Sequence, residues 1–187
     1  MSLPHAILTA LLEKPSSGLE LTRRFDRSIG FFWSATHQQI YRELNRLERD
    51  GLIHPLPQPP SRGKRKEYEV LPAGRAELAR WVAEEQDPRP IRDPLLLRLR
   101  AATVVGTGGL AAELHRHLEL HRQQLALYER IEAHDFPPEA AAGENRLQHH
   151  ILRAGLELET FWIGWLTRTL ADVAAPEDPG GGSGPAQ

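Results

Sequence analysis

Apolar residues near the start of the chain recur three or four positions apart in three stretches, a spacing that places them on one face of an α-helix. Ser17 and Glu20 stand at capping-box spacing, so the second helix should begin just after the turn at Pro15 to Gly18. We predict three short helices around a shared core. Their apolar positions are Leu3, Ile7, Leu8, Leu11 and Leu12, then Leu21, Phe25 and Ile29, then Ile40, Leu44 and Leu47.

The third helix carries signals at both of its ends. Ser34 could cap its start, or Thr36 and Gln39 could form a capping box there. Gly51 can adopt the left-handed conformation that ends a helix. The sequence thus predicts a helix of about four turns between these signals.

A proline-rich segment and then a strongly basic one follow the third helix. Gly63 can turn the chain within the basic segment, and residues 66–71 can supply a returning strand. A polar helix followed by a charged hairpin is typical of a winged helix-turn-helix, in which the hairpin, or wing, grips DNA phosphates. The prolines leave the geometry of the wing open; they are Pro55, Pro57, Pro59 and Pro60.

The third helix presents polar residues opposite Ile40, of the types that read DNA. Gln and Asn match the adenine edge in the major groove, Arg matches guanine, and Tyr and further basic residues suit phosphate oxygens. The candidate base contacts are Gln38, Gln39, Arg42 and Asn45, with Arg49 on the same face. The candidate DNA-backbone contacts are Ser34, Tyr41, Arg46, Arg62, Lys64, Arg65 and Lys66. Taken separately, the helix face and the basic run are also what a solvated helix and a solvated loop would show.

These segments resemble the PadR family of bacterial transcriptional regulators over residues 1 to about 85. The resemblance rests on Ser17-Gly18, Tyr41, the run from Leu47 to Leu52, Tyr68 and Pro72-Ala73-Gly74. The segment FFWSATHQQIYREL is similar to the branch that includes virulence-gene activators. One departure is Leu19, where the family usually has Tyr. The resemblance implies a homodimer that binds a near-palindromic operator, more often as a repressor, and that an effector can release.

A second domain is predicted after a charged, proline-containing boundary at residues 84–94. Four leucines at 95, 96, 97 and 99 indicate a short buried helix, and a glycine run at 106–109 separates it from a longer pattern. Two long amphipathic helices follow, one from Leu110 and one from about Leu147. We therefore expect a DNA-binding domain at 1–88, a helical domain at 93–174 and a disordered tail at 175–187, giving a mainly α fold with a small β-hairpin wing.

The two long helices are candidates for a dimer interface, because similar regulators pair such helices across a twofold axis. The aromatic patch on the second helix could also hold a planar aromatic effector. The alternative is that these residues form the core of a helical hairpin within one chain. The interface and effector candidates are Leu114, Leu118, Leu125, Leu158, Phe161, Trp162 and Trp165.

Histidines on both long helices raise the possibility of a metal site. Glu113, His117 and His121 are spaced four residues apart on the first helix, while His149 and His150 lie on the second. Hydrogen-bonded interface histidines are the alternative, and we expect no metal and no cofactor.

Charge and composition narrow the remaining function classes. The net charge is -2, yet residues 35–66 carry seven Lys or Arg against three Asp or Glu, which favours contact with DNA. The chain has no cysteine and no apolar run near the roughly 20 residues that span a bilayer, and its start lacks a signal-peptide pattern, so a cytoplasmic protein without membrane contact is expected.

The sequence contains no catalytic motif that would indicate an enzyme. The glycine run at 106–109 is not followed by Gly-Lys-Ser or Gly-Lys-Thr, and there is no HExxH motif or serine elbow. The expected function is DNA-binding transcription regulation by a homodimer. The alternative is a winged-helix adaptor that binds other proteins without sequence-specific DNA binding.

Overall fold

The computed structural model describes residues 2–27, 35–57, 66–137 and 146–174. The chain divides into two compact units, Met1–Arg89 and Pro90–Gln187. The predicted tail at 175–187, the wing tip and Ile29 lie outside the described residues. In chain order the elements are α1 Leu3–Glu13, β1 Ser16–Ser17, α2 Gly18–Arg27, α3 His37–Arg49, β2 Ile53–Pro55, β3 Glu67–Val70, α4 Pro72–Val82, α5 Pro94–Val105, α6 Leu110–Asp135 and α7 Arg146–Ala174.

The core of the first unit is formed by the three predicted helices, α1, α2 and α3. The predicted capping box is present, since the backbone N–H of Ser17 donates to Glu20 Oε2 at 2.9 Å and that of Glu20 donates to Ser17 Oγ at 3.3 Å. The apolar stripes meet in one cluster with almost no solvent exposure, which confirms the predicted three-helix core. Its members include Ile7, Leu8, Leu11, Leu21, Phe25, Ile40, Leu44 and Leu47.

A three-stranded antiparallel sheet replaces the predicted two-stranded hairpin. The strand order is β1-β3-β2, with Ser16 opposite Tyr68 and Ile53 opposite Val70. The sequence predicted only a turn at Ser16, because two serines between Pro15 and Gly18 show no apolar alternation. The extra strand fixes the base of the wing to the start of α2.

Helix α4 packs closely against the chain that joins α3 to the sheet. A Cβ atom at Gly74 would lie 2.3 Å from the backbone oxygen of Leu52, so only glycine fits there without displacement. The same oxygen accepts a hydrogen bond from the backbone N–H of Leu71 at 2.9 Å. On its other side α4 contacts α1, where the ring of His5 stacks on Trp81 with centroids 4.4 Å apart.

The second unit is built on an antiparallel hairpin of α6 and α7. Its core is a cluster of buried leucines from α5, α6 and α7. Leu114 and Leu118 belong to this cluster and are 0% and 5% exposed. Because both side chains pack inside one chain, the structure favours the intrachain hairpin core over the dimer interface for these two residues.

Helix α5 is less buried than its leucines predicted. Leu95 is buried in the core of the second unit, whereas Leu97 is 70% exposed and Val104 is 84% exposed. The leucines at 95, 96, 97 and 99 spread over about 200° of the helix circumference, so a core contact on one side leaves part of the run in solvent. Within the described part of the chain, no helix combines the length and apolar content needed to cross a membrane.

Candidate nucleic-acid interface

Helix α3 starts at a capping box between Thr36 and Gln39. The backbone N–H of Gln39 donates to Thr36 Oγ1 at 3.2 Å, and the backbone N–H of Thr36 donates to Gln39 Oε1 at 2.8 Å. Of the two predicted caps, the structure contains the one at Thr36. Gln39 was predicted as a base contact, but its side-chain oxygen Oε1 accepts this hydrogen bond and so stabilises the start of the helix.

The polar face of α3 is open to solvent along its whole length. Gln38, Arg42, Asn45 and Arg49 are all exposed, while Ile40, Leu44 and Leu47 on the opposite face are buried. Arg42 makes no ion pair with any residue that the structure describes. The Nε of Arg49 donates to the backbone oxygen of Asn45 at 3.4 Å. This arrangement presents amide and guanidinium donors side by side, as a reader of base edges requires.

Tyr41 lies on one flank of this face and rests on the start of α2. A Cβ atom at Gly18 would be 2.5 Å from Cε1 of the Tyr41 ring, so the glycine makes room for the ring. The side of the residue turned away from α2 is open, and Tyr41 is 47% exposed. The structure thus explains why Gly18 and Tyr41 occur together, and it leaves Tyr41 accessible to a phosphate.

Two of the predicted phosphate contacts already have carboxylate partners. Arg46 Nε lies 3.3 Å from Glu43 Oε1 and 3.5 Å from Asp50 Oδ2. Lys66 Nζ lies 3.1 Å from Glu48 Oε1. Both basic side chains remain about half exposed, at 47% and 58%. Their charges are thus partly neutralised within the chain.

The remaining predicted backbone contacts, Ser34, Arg62, Lys64 and Arg65, lie outside the described residues. One exposed residue was missed by the sequence reasoning: His37 is the first residue of α3. Residues at the N-terminus of a recognition helix are well placed to reach base edges. Its position directly after the Thr36 cap was the available signal.

The aromatic residues of α7 form a connected cluster with His121 of α6. Trp162 stacks on His121 with ring centroids 5.6 Å apart, and its edge contacts Trp165 at 5.4 Å. Phe161 meets Trp162 at 5.6 Å and is itself 56% exposed. Leu158 is 53% exposed, whereas Leu125 of α6 is half-buried. The cluster therefore joins the hairpin core to an open apolar surface.

Three of the candidate histidines of the second unit, His117, His121 and His149, each pair with a different carboxylate. His121 Nδ1 lies 2.5 Å from Glu159 Oε2, His117 Nε2 lies 3.3 Å from Glu113 Oε1, and His149 Nε2 lies 2.7 Å from Glu132 Oε1. Among the residues that the structure describes, no group of three metal-ligating side chains converges. The geometry therefore favours hydrogen-bonded histidines over the metal site.

Comparison with known proteins matches both units to families of transcription regulators. Residues 7–80 match the transcriptional regulator PadR-like family, and residues 91–174 match a family described as virulence activator alpha C-term. A probable transcriptional regulator of Mycobacterium tuberculosis is 42% identical over 181 residues, which cover 89% of this chain and 94% of the relative.

Solved structures of regulators share the fold over almost the entire chain. The virulence activator AphA of Vibrio cholerae matches with a TM-score of 0.79 and 33% identity, covering 92% of this chain and 98% of AphA. Bacillus subtilis PadR in complex with operator DNA matches with a TM-score of 0.79 and 24% identity, over 92% of this chain and 99% of PadR. Bacillus subtilis PadR in complex with p-coumaric acid matches with a TM-score of 0.78 and 25% identity, over 94% of this chain and 100% of PadR.

These matches confirm the resemblance, the fold class and the expectation of a regulator rather than an enzyme. The matching families and relatives are transcriptional regulators, and the likeness spans the N-terminal winged helix as well as the C-terminal helices. The chain belongs to the PadR-like family of DNA-binding transcriptional regulators.

Proposed function

We propose that the protein is a homodimeric repressor that binds a near-palindromic operator and is released from it by a small-molecule effector. The observation that carries this proposal is the exposed polar face of α3, on which Gln38, Arg42 and Asn45 stand beside one another. A twofold pair of such helices reads two half-sites of opposite orientation, so the operator is near-palindromic.

The base-reading group is formed by Arg42, Gln38 and Asn45, with His37 at the start of the helix. Gln39 contributes only its amide N–H₂ to DNA, because its oxygen is held by the cap. Tyr41 and Arg46 contact phosphates from the flanks. Ser34, Arg62, Lys64 and Arg65 extend these contacts beyond the ends of α3, in agreement with the excess of positive charge in residues 35–66.

The dimer is supported by a second apolar stripe on α7, which is exposed over most of its length and whose last member, Trp165, also packs against the hairpin core. Successive members are four and three residues apart, which is the heptad spacing of a coiled-coil seam. The centre of the stripe stands about 100° around the helix from Leu166 and about 140° from Leu170, which face the core. Its members are Leu147, Ile151, Ala154, Leu158, Phe161 and Trp165.

The aromatic cluster supports the effector part of the proposal. Trp162, Trp165 and Phe161 join the hairpin core to the proposed dimer surface, so a planar ligand stacked on them would act on how the two copies pair. A relative, PadR, has been solved with p-coumaric acid bound. An aromatic acid is therefore the effector class to test first.

The function is tested by fluorescence anisotropy of the full chain on the DNA upstream of its own gene and on a scrambled duplex of equal length. We expect at least about 1,000-fold tighter binding to the upstream fragment, in line with specific regulators, and weakening of both complexes as salt rises. Titration of aromatic acids into the specific complex should lower the anisotropy. Equal binding to both duplexes at every salt concentration would contradict sequence-specific repression from this site.

Replacing Arg42 with alanine should relax the sequence preference of the protein. A guanidinium that makes paired hydrogen bonds to guanine contributes about 1–3 kcal/mol of discrimination, so we expect the preference for the operator to fall by about fivefold to 160-fold. Competition anisotropy with single-base operator variants measures this loss. The variant should no longer discriminate between bases at the base pair that Arg42 reads, and it should keep its discrimination at the other positions.

Arg75→Ala is the matched control, because Arg75 is also an exposed arginine of the first unit but lies on α4. It should leave the preference unchanged. An equal weakening of Arg42→Ala on every sequence would make Arg42 a phosphate contact. Unchanged binding would remove Arg42 from the DNA contacts, and a wild-type protein without sequence preference would favour the adaptor alternative.

A further inference from the structure

A carboxylate of the recognition helix holds the basic residue at the base of the wing. Lys66 Nζ donates to Glu48 Oε1 at 3.1 Å and to Oε2 at 3.4 Å. Glu48 lies in the last turns of α3, and Lys66 directly precedes β3. The contact therefore spans 18 residues of chain and joins the two parts of the motif that approach DNA.

The Glu48 carboxylate has a second partner, a buried tyrosine. Tyr68 OH donates to Glu48 Oε2 at 3.4 Å, and Tyr68 is only 6% exposed. Burial, followed by the charge of Glu48, raises the pKa of Tyr68, so its hydroxyl stays protonated as a donor. The hydrogen bond and charge of Glu48 also raise the pKa of Lys66. The Tyr68 hydrogen bond holds the Glu48 carboxylate in place, whereas the more exposed Lys66 side chain can break its contact with Glu48.

Glu48 is also close to the surface that approaches DNA. At about 100° per residue it lies about 90° around α3 from the centre of the face formed by Arg42 and Asn45. Its side chain is 28% exposed and that of Lys66 is 58% exposed. The ammonium can therefore exchange a carboxylate oxygen for a phosphate oxygen by rotation of its own side chain, since both are anionic acceptors of the same kind.

We propose that Glu48 is an intramolecular competitor for phosphate, which withholds Lys66 from DNA and lowers the affinity of the wing for every sequence. The inference rests on the proposed placement of α3 and the wing on DNA. Because phosphate contacts carry no sequence information, the competition sets overall affinity and leaves base preference alone. It gives a regulator that reads bases a way to limit binding to the bulk of the chromosome.

The test is a double-mutant cycle in the full-length protein with Glu48→Gln, Lys66→Gln and both together. Glutamine removes the charge but keeps an oxygen that accepts the Tyr68 hydrogen bond, so the fold is retained; matching thermal unfolding curves check this. Anisotropy is measured on a scrambled duplex and on the upstream fragment between about 50 and 200 mM salt. Glu67→Gln is the matched control, since Glu67 is exposed and directly follows Lys66.

Glu48→Gln should steepen the plot of log affinity against log salt by about 0.9 for each bound protomer, on both duplexes. The gain in affinity of Glu48→Gln over the wild-type protein should therefore be about threefold larger per protomer at the low-salt end than at the high-salt end. Lys66→Gln alone should leave the slope of the wild-type protein unchanged, and it should abolish the gain when combined with Glu48→Gln. Glu67→Gln should leave the slope unchanged.

A slope that flattens in Lys66→Gln alone would overturn the proposal, because Lys66 would then already contact phosphate in the wild-type protein. An equal gain from Glu67→Gln would overturn it as well, since the effect would be one of net charge. The measurement on scrambled DNA is independent of operator recognition. Failure of the proposed repressor function would appear separately, as a wild-type protein that does not prefer the upstream fragment.

Discussion

Replacing Gly74 with alanine is expected to destabilise the N-terminal unit by about 3 kcal/mol, although alanine is the better helix former. The added Cβ would lie 2.3 Å from the oxygen of Leu52 and 2.8 Å from Cγ1 of Val70. The first neighbour is backbone and cannot turn aside. Relief requires α4 to move away, which stretches the 2.9 Å hydrogen bond from Leu71 to Leu52. Urea unfolding followed by circular dichroism measures the loss.

Ala76→Gly supplies the comparison, because Ala76 is exposed on the same helix. If helix propensity alone decided, this change would cost about 1 kcal/mol and Gly74→Ala would stabilise the unit by a similar amount. The packing argument predicts that both changes destabilise, with Gly74→Ala the more severe. A stabilised Gly74→Ala variant would show that α4 is free to shift at no cost.

Replacing Leu158 with glutamate is expected to convert the protein to a monomer and to weaken operator binding by about 100-fold or more. Leu158 is 53% exposed in the single chain and lies in the middle of the heptad stripe of α7. A second copy packed on that stripe would have to bury the new carboxylate without a partner. Loss of the dimer removes the gain in affinity from binding two half-sites at once. Sedimentation velocity and anisotropy measure the two effects.

Ala171→Glu is the matched control for charge on α7. Ala171 is exposed and stands about 120° around the helix from the stripe. It should remain dimeric and bind the operator as the wild type does. A dimeric Leu158→Glu variant would move the interface to another surface. A monomeric variant that retains full operator affinity would instead separate dimerisation from DNA reading.

The sequence predicted the elements whose signals are local. The three-helix core, the capping boxes and the stop at Gly51, which has a φ of 69°, all follow from spacing and from single-residue conformational preferences. The division of apolar residues between the core and the surface did not follow. Leu114 and Leu158 both belong to helical apolar stripes, and only the pairing of α6 with α7 shows that one is buried and the other open.

Nonlocal pairing also explains what was missed at the interface. The residues within three or four positions of Lys66 give no signal that Glu48 is its partner, because the two side chains meet only when the sheet folds against the end of α3. The short strand at Ser16 was invisible for the same reason, since it exists only by pairing with β3. Residue types on the reading face, by contrast, were evident from helical periodicity alone.

Under the proposed function, the capping role of Gln39 limits how operator recognition can diverge among descendants of this protein. A substitution there changes base contact and helix start together, because the oxygen of Gln39 holds the Thr36 N–H at 2.8 Å. Most such changes lose the half of the capping box in which Gln39 accepts from the Thr36 N–H, before they gain a new base. In the described structure no such capping role falls on the side chains of Gln38, Arg42 and Asn45. We therefore expect changes in operator preference to arise from substitutions at those three positions, and substitutions at Gln39 to be rarer.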